Sequence, residues 1–200
     1  MTIQRRFFLA LTLAVWLVPP AWAQPDDPAA NVAGAPFARR IQFAGAELLL
    51  NGTGFRAVAF FKAYAAGLYL TVPASSAEAV VKTPGPKRLR LRMLTDVSAS
   101  EFEKALRVGM PRNSDPALVP RLADRMDRLA AIIAALGTVH KEDIVDLDFD
   151  PARGLLFSLN GKLRGEAIAG DDFYAALLLV FVGAHPSDEK LKAGLLGRAS

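Results

Sequence analysis

The sequence predicts an α+β fold in which helices gather on one face of a large antiparallel sheet. Segments that alternate apolar and polar residues come in pairs around turn residues, as in antiparallel hairpins. Residues 117–136 carry apolar side chains at steps of three and four, which is typical of an amphipathic helix. Strands and helices also come in blocks along the chain, which favours α+β over α/β. With 52% apolar residues among 200, the chain can bury one core, so a single domain over residues 37–200 is expected.

The first strands are expected between residues 41 and 70. The run IQFAGAELLLNG predicts a strand that ends in a turn at Asn51-Gly52, because Asn-Gly is the strongest short hairpin signal. Gly52 and Gly54 are attributed to this turn rather than to a phosphate-binding loop. The next run, GFRAVAFFKAYAAGLYL, predicts a return strand or a pair of strands. A short helix follows, with Ser75 or Ser76 as its cap and a Pro-Gly pair as its stop.

Residues 87–93 predict another strand, in which apolar residues alternate with Arg88, Arg90 and Arg92. The row of arginines has two interpretations. It could form an anion-binding face, or it could be the wet face of a half-covered antiparallel sheet. The second arrangement is common in antiparallel sheets and is the expectation here.

The second half of the chain predicts four helices and a second hairpin. A serine cap with Glu101 close behind it begins the first helix. Asp171 and Asp172 suit the amino end of a nearly all-apolar helix, because carboxylates are favourable there. In chain order the expected elements are a helix over 98–110, a helix over 117–136, a hairpin over 143–165, a helix over 171–183 and a helix over 187–197.

The amino terminus has the pattern of a cleaved export signal. Arg5 and Arg6 precede an apolar run of twelve residues, and small residues stand at Ala21 and Ala23. A membrane-spanning helix needs about 20 apolar residues, so the run is too short for an anchor. The sequence therefore predicts a signal peptide over residues 1–23, and either the general secretory or the twin-arginine route fits it.

The composition of the mature chain, from Gln24 onward, restricts its partners. Residues 24–36 are rich in Pro, Ala, Gly and Asp without periodicity and predict a flexible lead-in. The mature chain has 22 basic and 20 acidic residues, a near balance that gives no reason to expect a nucleic-acid partner. It has no cysteine, which suits a bacterial periplasm. His140 and His185 are expected in exposed loops, and no metal site, cofactor or integral membrane segment is expected.

Arg56, Lys62 and Tyr64 stand out because they interrupt an apolar run that contains no acidic residue. In strict alternation these three residues share one face of the strand. A straight strand would separate Arg56 from Tyr64 by about 26 Å. They can therefore meet at one ligand only if the chain bends, bulges or turns between them. The arginine either ends a strand in solvent or meets an anion.

Several motifs resemble the chalcone isomerase-like family, in particular its fatty-acid-binding and bacterial exported branches. The resemblance covers about residues 41–197. Its first element is GTGFR, from Gly52 to Arg56, and its second is KAYAAGLYL, from Lys62 to Leu70. Further matches are KRLRLRMLTDVSASEFEKAL, LNGKLRGEAIAGDDFYAALLLVFVG and HPSDEKLKAGLLG.

The resemblance implies an open-faced β-sandwich, with a ligand cleft between a large antiparallel sheet and the helices. It also implies that Arg56 and Tyr64 hold the carboxylate of a small apolar ligand such as a fatty acid. The true isomerases use a tyrosine and an asparagine on the central helical segment, and typically a threonine at the position of Tyr64. Residues 112–129 contain no tyrosine, and Asn113 stands at the helix start, where a loop or cap role is expected.

The resemblance therefore implies a periplasmic, non-catalytic binding protein for a small apolar carboxylate. Two other functions stay open from the residues alone. One is an isomerase or lyase that acts on an enolisable flavonoid-like or unsaturated carbonyl compound, with Arg56 stabilising an oxyanion and Tyr64 relaying a proton. The other is a protein-interaction module without a ligand, whose protein partner the sequence does not indicate.

Overall fold

A computed structural model describes residues 30–58 and 61–198, apart from the side chain of Val58. Within these ranges the chain forms eleven strands and five helices. The strands are β1 (Ala30–Val32), β2 (Ala35–Phe37), β3 (Arg40–Phe43), β4 (Ala46–Val58), β5 (Phe61–Leu70), β6 (Lys87–Met93), β7 (Val97–Ser98), β8 (Thr138–Val139), β9 (Ile144–Asp150), β10 (Gly154–Leu159) and β11 (Lys162–Leu163). The helices are α1 (Ala77–Lys82), α2 (Ala99–Arg112), α3 (Val119–Ala134), α4 (Asp171–Val182) and α5 (Glu189–Leu195).

Seven antiparallel strands form the main sheet, in the order β11-β10-β9-β6-β5-β4-β3. The helices pack on one face of this sheet. There Leu68, Leu89 and Leu147 of the central strands share one apolar core with Phe173 and Leu177 of α4. None of these side chains is more than 3% exposed. The predicted α+β fold, with helices on one face of a large antiparallel sheet, is confirmed.

Two of the helices begin at side-chain caps, and the first of these, Ser76, is one of the two candidates that the sequence predicts. The Ser76 hydroxyl accepts the backbone N–H of Ala79 at 3.2 Å at the start of α1. The Asp188 carboxylate accepts the N–H of Leu191 at 2.9 Å at the start of α5. Each cap satisfies one of the donors that the first turn of a helix leaves free. These local signals therefore set the helix starts correctly.

The predicted turn at Asn51-Gly52 is wrong, because both residues and the following Gly54 lie inside β4. The chain turns instead at Ala44-Gly45, where φ is positive at both residues, 47° and 76°, as a two-residue hairpin turn of this kind requires. Asn51 occupies a β-bulge in the pairing with β5. Its side-chain amide bonds the backbone just before α1 and at the end of α5, at 2.7–2.9 Å. Asn51 thus ties two helical segments to the sheet.

The expectation that the arginine row faces water is also wrong. Arg88 and Arg90 each form a bidentate ion pair with a carboxylate on β9, Asp148 at 2.6 and 2.7 Å and Asp146 at 2.7 and 2.8 Å. The carboxylate side chains are only 6% and 4% exposed. Burial opposes the charge of Arg88, but the neighbouring carboxylates, Asp148 above all and then Asp146, together hold the pKa of Arg88 above its ordinary value. This face of the sheet, opposite the helices, is called the back face below.

The back face is covered by residues from the predicted flexible lead-in, which is therefore wrong for residues 30–36. β1 and β2 form a hairpin around Ala33-Gly34, and Val32 pairs with Ala35. The hairpin carries Phe37 onto the sheet, where it is 1% exposed. Composition alone misses this hairpin because its strands are only three residues long and become stable through packing on the sheet.

The predicted signal peptide over residues 1–23 and the start of the lead-in, residues 24–29, lie outside the described residues. Among the helices of residues 30–58 and 61–198, none combines the length and the apolar character that a membrane crossing requires.

Buried tyrosines predict a loss of stability in alkali. Burial raises the pKa of Tyr64, Tyr69 and Tyr174 above the ordinary value of 10.0. Their folded-state pKa exceeds the unfolded one, so the stability they contribute is present below about pH 10 and is lost as pH rises further. Burial lowers the pKa of Lys87, so this lysine alone makes the protein more stable as pH rises. It is one group against three tyrosines, so we expect the tyrosines to dominate. We expect urea titrations to give a lower free energy of unfolding at about pH 11 than at about pH 8.

Two substitutions separate the contributions to this alkaline loss. The Tyr69 hydroxyl is buried without a hydrogen-bond partner, whereas the Tyr174 hydroxyl donates to the carbonyl of Leu147 at 3.0 Å. Tyr69→Phe should therefore leave the stability at pH 8 unchanged or raised, and should reduce the alkaline loss. Tyr174→Phe should destabilise the protein at pH 8 by about 1 kcal/mol. An alkaline loss as large in Tyr69→Phe as in the wild type would contradict the role given to Tyr69.

Candidate functional site

Arg56 and Tyr64 stand directly opposite each other on β4 and β5, as Cα partners in the antiparallel ladder. The chain reverses between them, because β4 ends at Val58 and β5 begins at Phe61. Directly opposite residues of such a pair have their Cβ atoms about 4.5–5.5 Å apart. The sequence-predicted pair is therefore brought together by a hairpin, and the separation expected for a straight strand does not apply.

Lys62 does not join this pair, and the expectation that it shares their face is wrong. The ladder pairs Arg56 with Tyr64 but Ala57 with Lys62, so Ala63 is an extra residue in β5. A bulge of one residue breaks the alternation of side chains. Lys62 consequently lies on the back face, with its ammonium 4.8 Å from the centroid of the Phe55 ring.

Tyr64 is packed between the sheet and α2. The side chain is 4% exposed, and its ring stacks on Phe102 at a centroid distance of 6.1 Å and an interplanar angle of 23°. Burial raises the pKa of Tyr64, and the positive charge and hydrogen bond of Arg56 offset only part of that rise. The phenol therefore stays protonated in the neutral range and can donate a hydrogen bond to an anion.

Arg56 is half-buried, and within the described part of the chain no carboxylate lies within ion-pair distance of it. Three other half-buried arginines give the contrast, since Arg88, Arg90 and Arg125 each hold a bidentate carboxylate, whereas Arg92 shares the unpaired state of Arg56 among the described residues. A guanidinium out of bulk water is stabilised by an anion that can accept from its fork of donors. Arg56 thus has unused capacity to bind a carboxylate.

A cavity of about 530 Å³ opens beside the pair, between β5 and α2. Its volume falls within the range of about 300–1,000 Å³ that is usual for small-molecule sites. Arg56 and Tyr64 form its polar end, and Asp96 and Glu101 are exposed residues of its lining. The apolar part of the lining is formed by Phe61, Ala63, Val97, Phe102 and Ala105. The arrangement offers an apolar wall with one cationic end.

A smaller recess of about 320 Å³ lies on the other side of Arg56, between α2 and the segment that precedes α5. Besides Arg56, its charged lining consists of Lys104 and Arg112 against one carboxylate, that of Glu101, so the recess has a net positive charge. Ser187 also lines it, and its hydroxyl is buried without a hydrogen-bond partner. Arg56 is thus shared by an apolar cavity and a basic recess.

Asn113 is a cap residue, as expected, but at the end of α2 and not at the start of a helix. It is the C-cap of α2, and its amide donates to the carbonyls of Gly109 and His185 at 2.9 and 2.8 Å. Its oxygen accepts the backbone N–H of His185 at 2.8 Å. The Asn113 side chain therefore joins α2 to the loop after α4. His140 and His185 are both exposed in loops, as expected.

Sequence reasoning missed Phe102 and Ser187 as parts of the site. Phe102 belongs to the apolar stripe of α2 and carries no signal that separates a ligand contact from core packing. Ser187 precedes the cap of α5 by one residue, and its placement beside Arg56 follows from how α5 docks on β4. Neither role can be found from spacing along the chain.

The comparisons with known proteins agree with this fold. The sequence model of the family described as chalcone isomerase-like matches residues 29–197. No curated protein matches the chain. The crystal structure of the fatty-acid binding protein AtFAP1 of Arabidopsis thaliana superposes with a TM-score of 0.61, at 13% sequence identity, over 82% of this chain and 92% of that one. At that identity the likeness establishes the shared fold. Because the family match spans nearly all the described residues, the chain belongs to the chalcone isomerase-like family.

Proposed function

We propose that the protein is an exported, non-catalytic binding protein for a small apolar carboxylate such as a fatty acid. One observation carries the proposal. Arg56 has no carboxylate partner among the described residues, and it stands beside the buried hydroxyl of Tyr64 at the end of a mainly apolar cavity. The missing acid is that of the ligand. That the similar structure AtFAP1 is described as a fatty-acid binding protein supports this choice of ligand.

The two ends of such a ligand have separate roles in binding. The carboxylate accepts from the Arg56 guanidinium and from the Tyr64 phenol, and charge-assisted hydrogen bonds contribute about 1.5–3 kcal/mol each. The chain lies along Phe61, Val97 and Phe102, where each buried CH₂ contributes about 0.8 kcal/mol. The apolar wall therefore supplies affinity, and the Arg56 end sets the orientation.

The residues around the site favour binding over catalysis. The true isomerases hold a catalytic asparagine in the segment where this chain has Asn113. Here the Asn113 side chain is already hydrogen-bonded to backbone groups of α2 and of the loop after α4. The buried phenol of Tyr64 has a raised pKa, which makes it a donor rather than a base at neutral pH. Neither group is arranged to move a proton on a bound ligand.

Export to the periplasm is part of the proposal and has its own test. Residues 1–23 carry the signal pattern, and the absence of cysteine suits that compartment. The protein recovered from a periplasmic fraction should begin at Gln24 when its amino terminus is sequenced. A protein found only in the cytoplasm with its first 23 residues intact would contradict export and leave the ligand site to be judged separately.

Binding at Arg56 is tested by native mass spectrometry and by titration of the purified protein with palmitate. We expect a discrete fatty-acid adduct. Arg56→Gln should weaken palmitate binding by about 10- to 100-fold, because it removes the charge while keeping a polar side chain. Tyr64→Phe should weaken it by about tenfold or somewhat more, because one hydrogen bond to the charged carboxylate is lost.

Arg153→Gln is the matched control for this experiment. Arg153 is exposed and belongs to the β9–β10 turn. This turn lies at one end of the strands, and Tyr64 lies at the other end. Its loss should change neither affinity nor stability. The proposal is overturned if palmitate binds Arg56→Gln as tightly as the wild type, or if Arg56→Gln unfolds the domain and so shows Arg56 to be structural. A protein that never takes up palmitate would point to the interaction module instead.

A further inference from the structure

We propose a second anion-binding site, on the back face of the sheet and centred on Arg92, that takes the carboxylate of a small amphiphilic acid. This site adjoins the Arg56 cavity, with Phe61 and Thr95 in the lining of both, but shares no cationic side chain with it. It draws on two features that the proposed function leaves unused, the third arginine of β6 and the displaced Lys62.

Two of the three arginines on β6 are paired with carboxylates, and the third, Arg92, is not. Across from Arg88 and Arg90, strand β9 supplies carboxylates, but across from Arg92 it supplies Ile144. The guanidinium of Arg92 lies 5.9 Å from the centroid of the Phe37 ring, and its Nε–H is buried without a hydrogen-bond partner. Buried donors of this kind are rarely left unpaired in native proteins, and a charged one is the more costly. We therefore place the bound anion beside Arg92, where β9 supplies no carboxylate.

A cavity of about 590 Å³ adjoins Arg92, beneath the β1–β2 hairpin. Two further cations, Lys62 and Lys141, belong to its lining, against one acidic residue, Glu142. Glu142 lies 4.0 Å from Lys141, at the limit of an ion pair, and both side chains are largely exposed. Lys62 and Arg92 have no carboxylate within ion-pair distance in the described part of the chain. The cavity therefore has a net positive wall.

The rest of the lining determines the class of ligand. The other wall is apolar and is formed mainly by Ala35, Pro36, Phe61 and Leu94. A small inorganic ion would use only the cations and leave this wall bare. An acid with a short apolar body matches both walls, because its carboxylate can accept from a guanidinium fork while its body covers apolar surface.

The experiment uses decanoate labelled with ¹³C at the carboxyl carbon, observed by NMR on the purified protein. Each bound carboxylate gives its own signal, so we expect two bound signals in the wild type. Arg92→Gln should weaken one of them about tenfold or more and leave the other in place. Arg56→Gln should do the reverse. Each site is therefore tested separately, and the absence of binding at one site does not change what the other signal shows.

Two further variants keep this test decisive if Arg92→Gln perturbs the fold. Lys62 and Lys141 are exposed, so the double variant Lys62→Gln/Lys141→Gln should fold normally and weaken the same signal several-fold. Arg153→Gln should change neither signal. The proposal is overturned if both variants at the back face leave every bound signal at wild-type affinity, or if the wild type shows a single signal that depends on Arg56 alone. A single signal that depends on Arg92 would support the back-face site and contradict the Arg56 site.

Discussion

Replacing Asp146 by asparagine is expected to lower the free energy of unfolding by about 3–5 kcal/mol. The Asp146 carboxylate accepts two bonds from Arg90, at 2.7 and 2.8 Å, and lies 3.8 Å from the guanidinium of Arg88. Its side chain is 4% exposed, and the two arginines are 21% and 14% exposed. Asparagine keeps the shape but removes the charge, so the half-buried Arg90 is left without a compensating carboxylate. Urea titration at neutral pH measures the loss.

Two controls identify the charge as the cause. Asp124 is exposed on α3 and has no ion pair among the described residues, so Asp124→Asn should change stability by less than about 0.5 kcal/mol. The double variant Arg90→Leu/Asp146→Leu should be less destabilised than Asp146→Asn, because replacing a whole buried pair by apolar residues is often close to neutral. A loss below about 1 kcal/mol in Asp146→Asn would show that water reaches the pair and that the back face is more open than described.

Replacing Gly52 by alanine is expected to destabilise the protein by about 3 kcal/mol, the upper end for an overpacked site. A Cβ atom at Gly52 would collide with the carbonyl oxygen of Gly194 and would lie 2.8 Å from both the N of Gly197 and the O of Leu195. All three atoms belong to the backbone of α5 and its end, which cannot move aside as a flexible side chain can. The glycines of the GTGFR motif therefore serve the close approach of α5 to β4. Thermal and urea unfolding measure the effect.

The same substitution should weaken ligand binding. Displacing α5 also displaces the segment just before it, where Ser187 lines the recess beside Arg56 and the Asp188 carboxylate helps to raise the pKa of Tyr64. Gly45→Ala is the comparison, because its Cβ meets nothing within 4 Å and only the positive φ of 76° opposes alanine. That variant should lose about 1–2 kcal/mol and keep its affinity for palmitate. If Gly52→Ala is no more harmful than Gly45→Ala, the contact between α5 and β4 is looser than the structure indicates.

The sequence by itself determined the elements whose signals are local. The stripe of residues 117–136, the cap at Ser76, and the hairpin around the β9–β10 turn all depend on neighbours within a few positions. The α+β class follows from the order of such elements, and the family follows from motifs spread over the chain. Arg56 and Tyr64 were also indicated as a pair, through the resemblance rather than through their spacing.

The tertiary structure decided which side chains meet across strands. Asn51-Gly52 is the strongest turn signal in the sequence, yet Asn51 lies inside β4 and its side chain bonds two helical segments to the sheet. The chain turns at Ala44-Gly45 instead. The bulge at Ala63 sent Lys62 to the opposite face from Tyr64. Register and bulges have no local signature here, because they are set by the packing of whole strands and helices against one another, and a shift of one residue exchanges the two faces of a strand.

The arginine row shows the same division most clearly. Its alternation predicted a strand and the correct apolar face, toward the helices. Whether the other face met water, carboxylates or a ligand depended on β9, about 55–60 residues later in the chain, and on a hairpin whose strands are only three residues long. Charge compensation is a property of partners in space, so the sequence could place the arginines of β6 but not the acids that neutralise two of them.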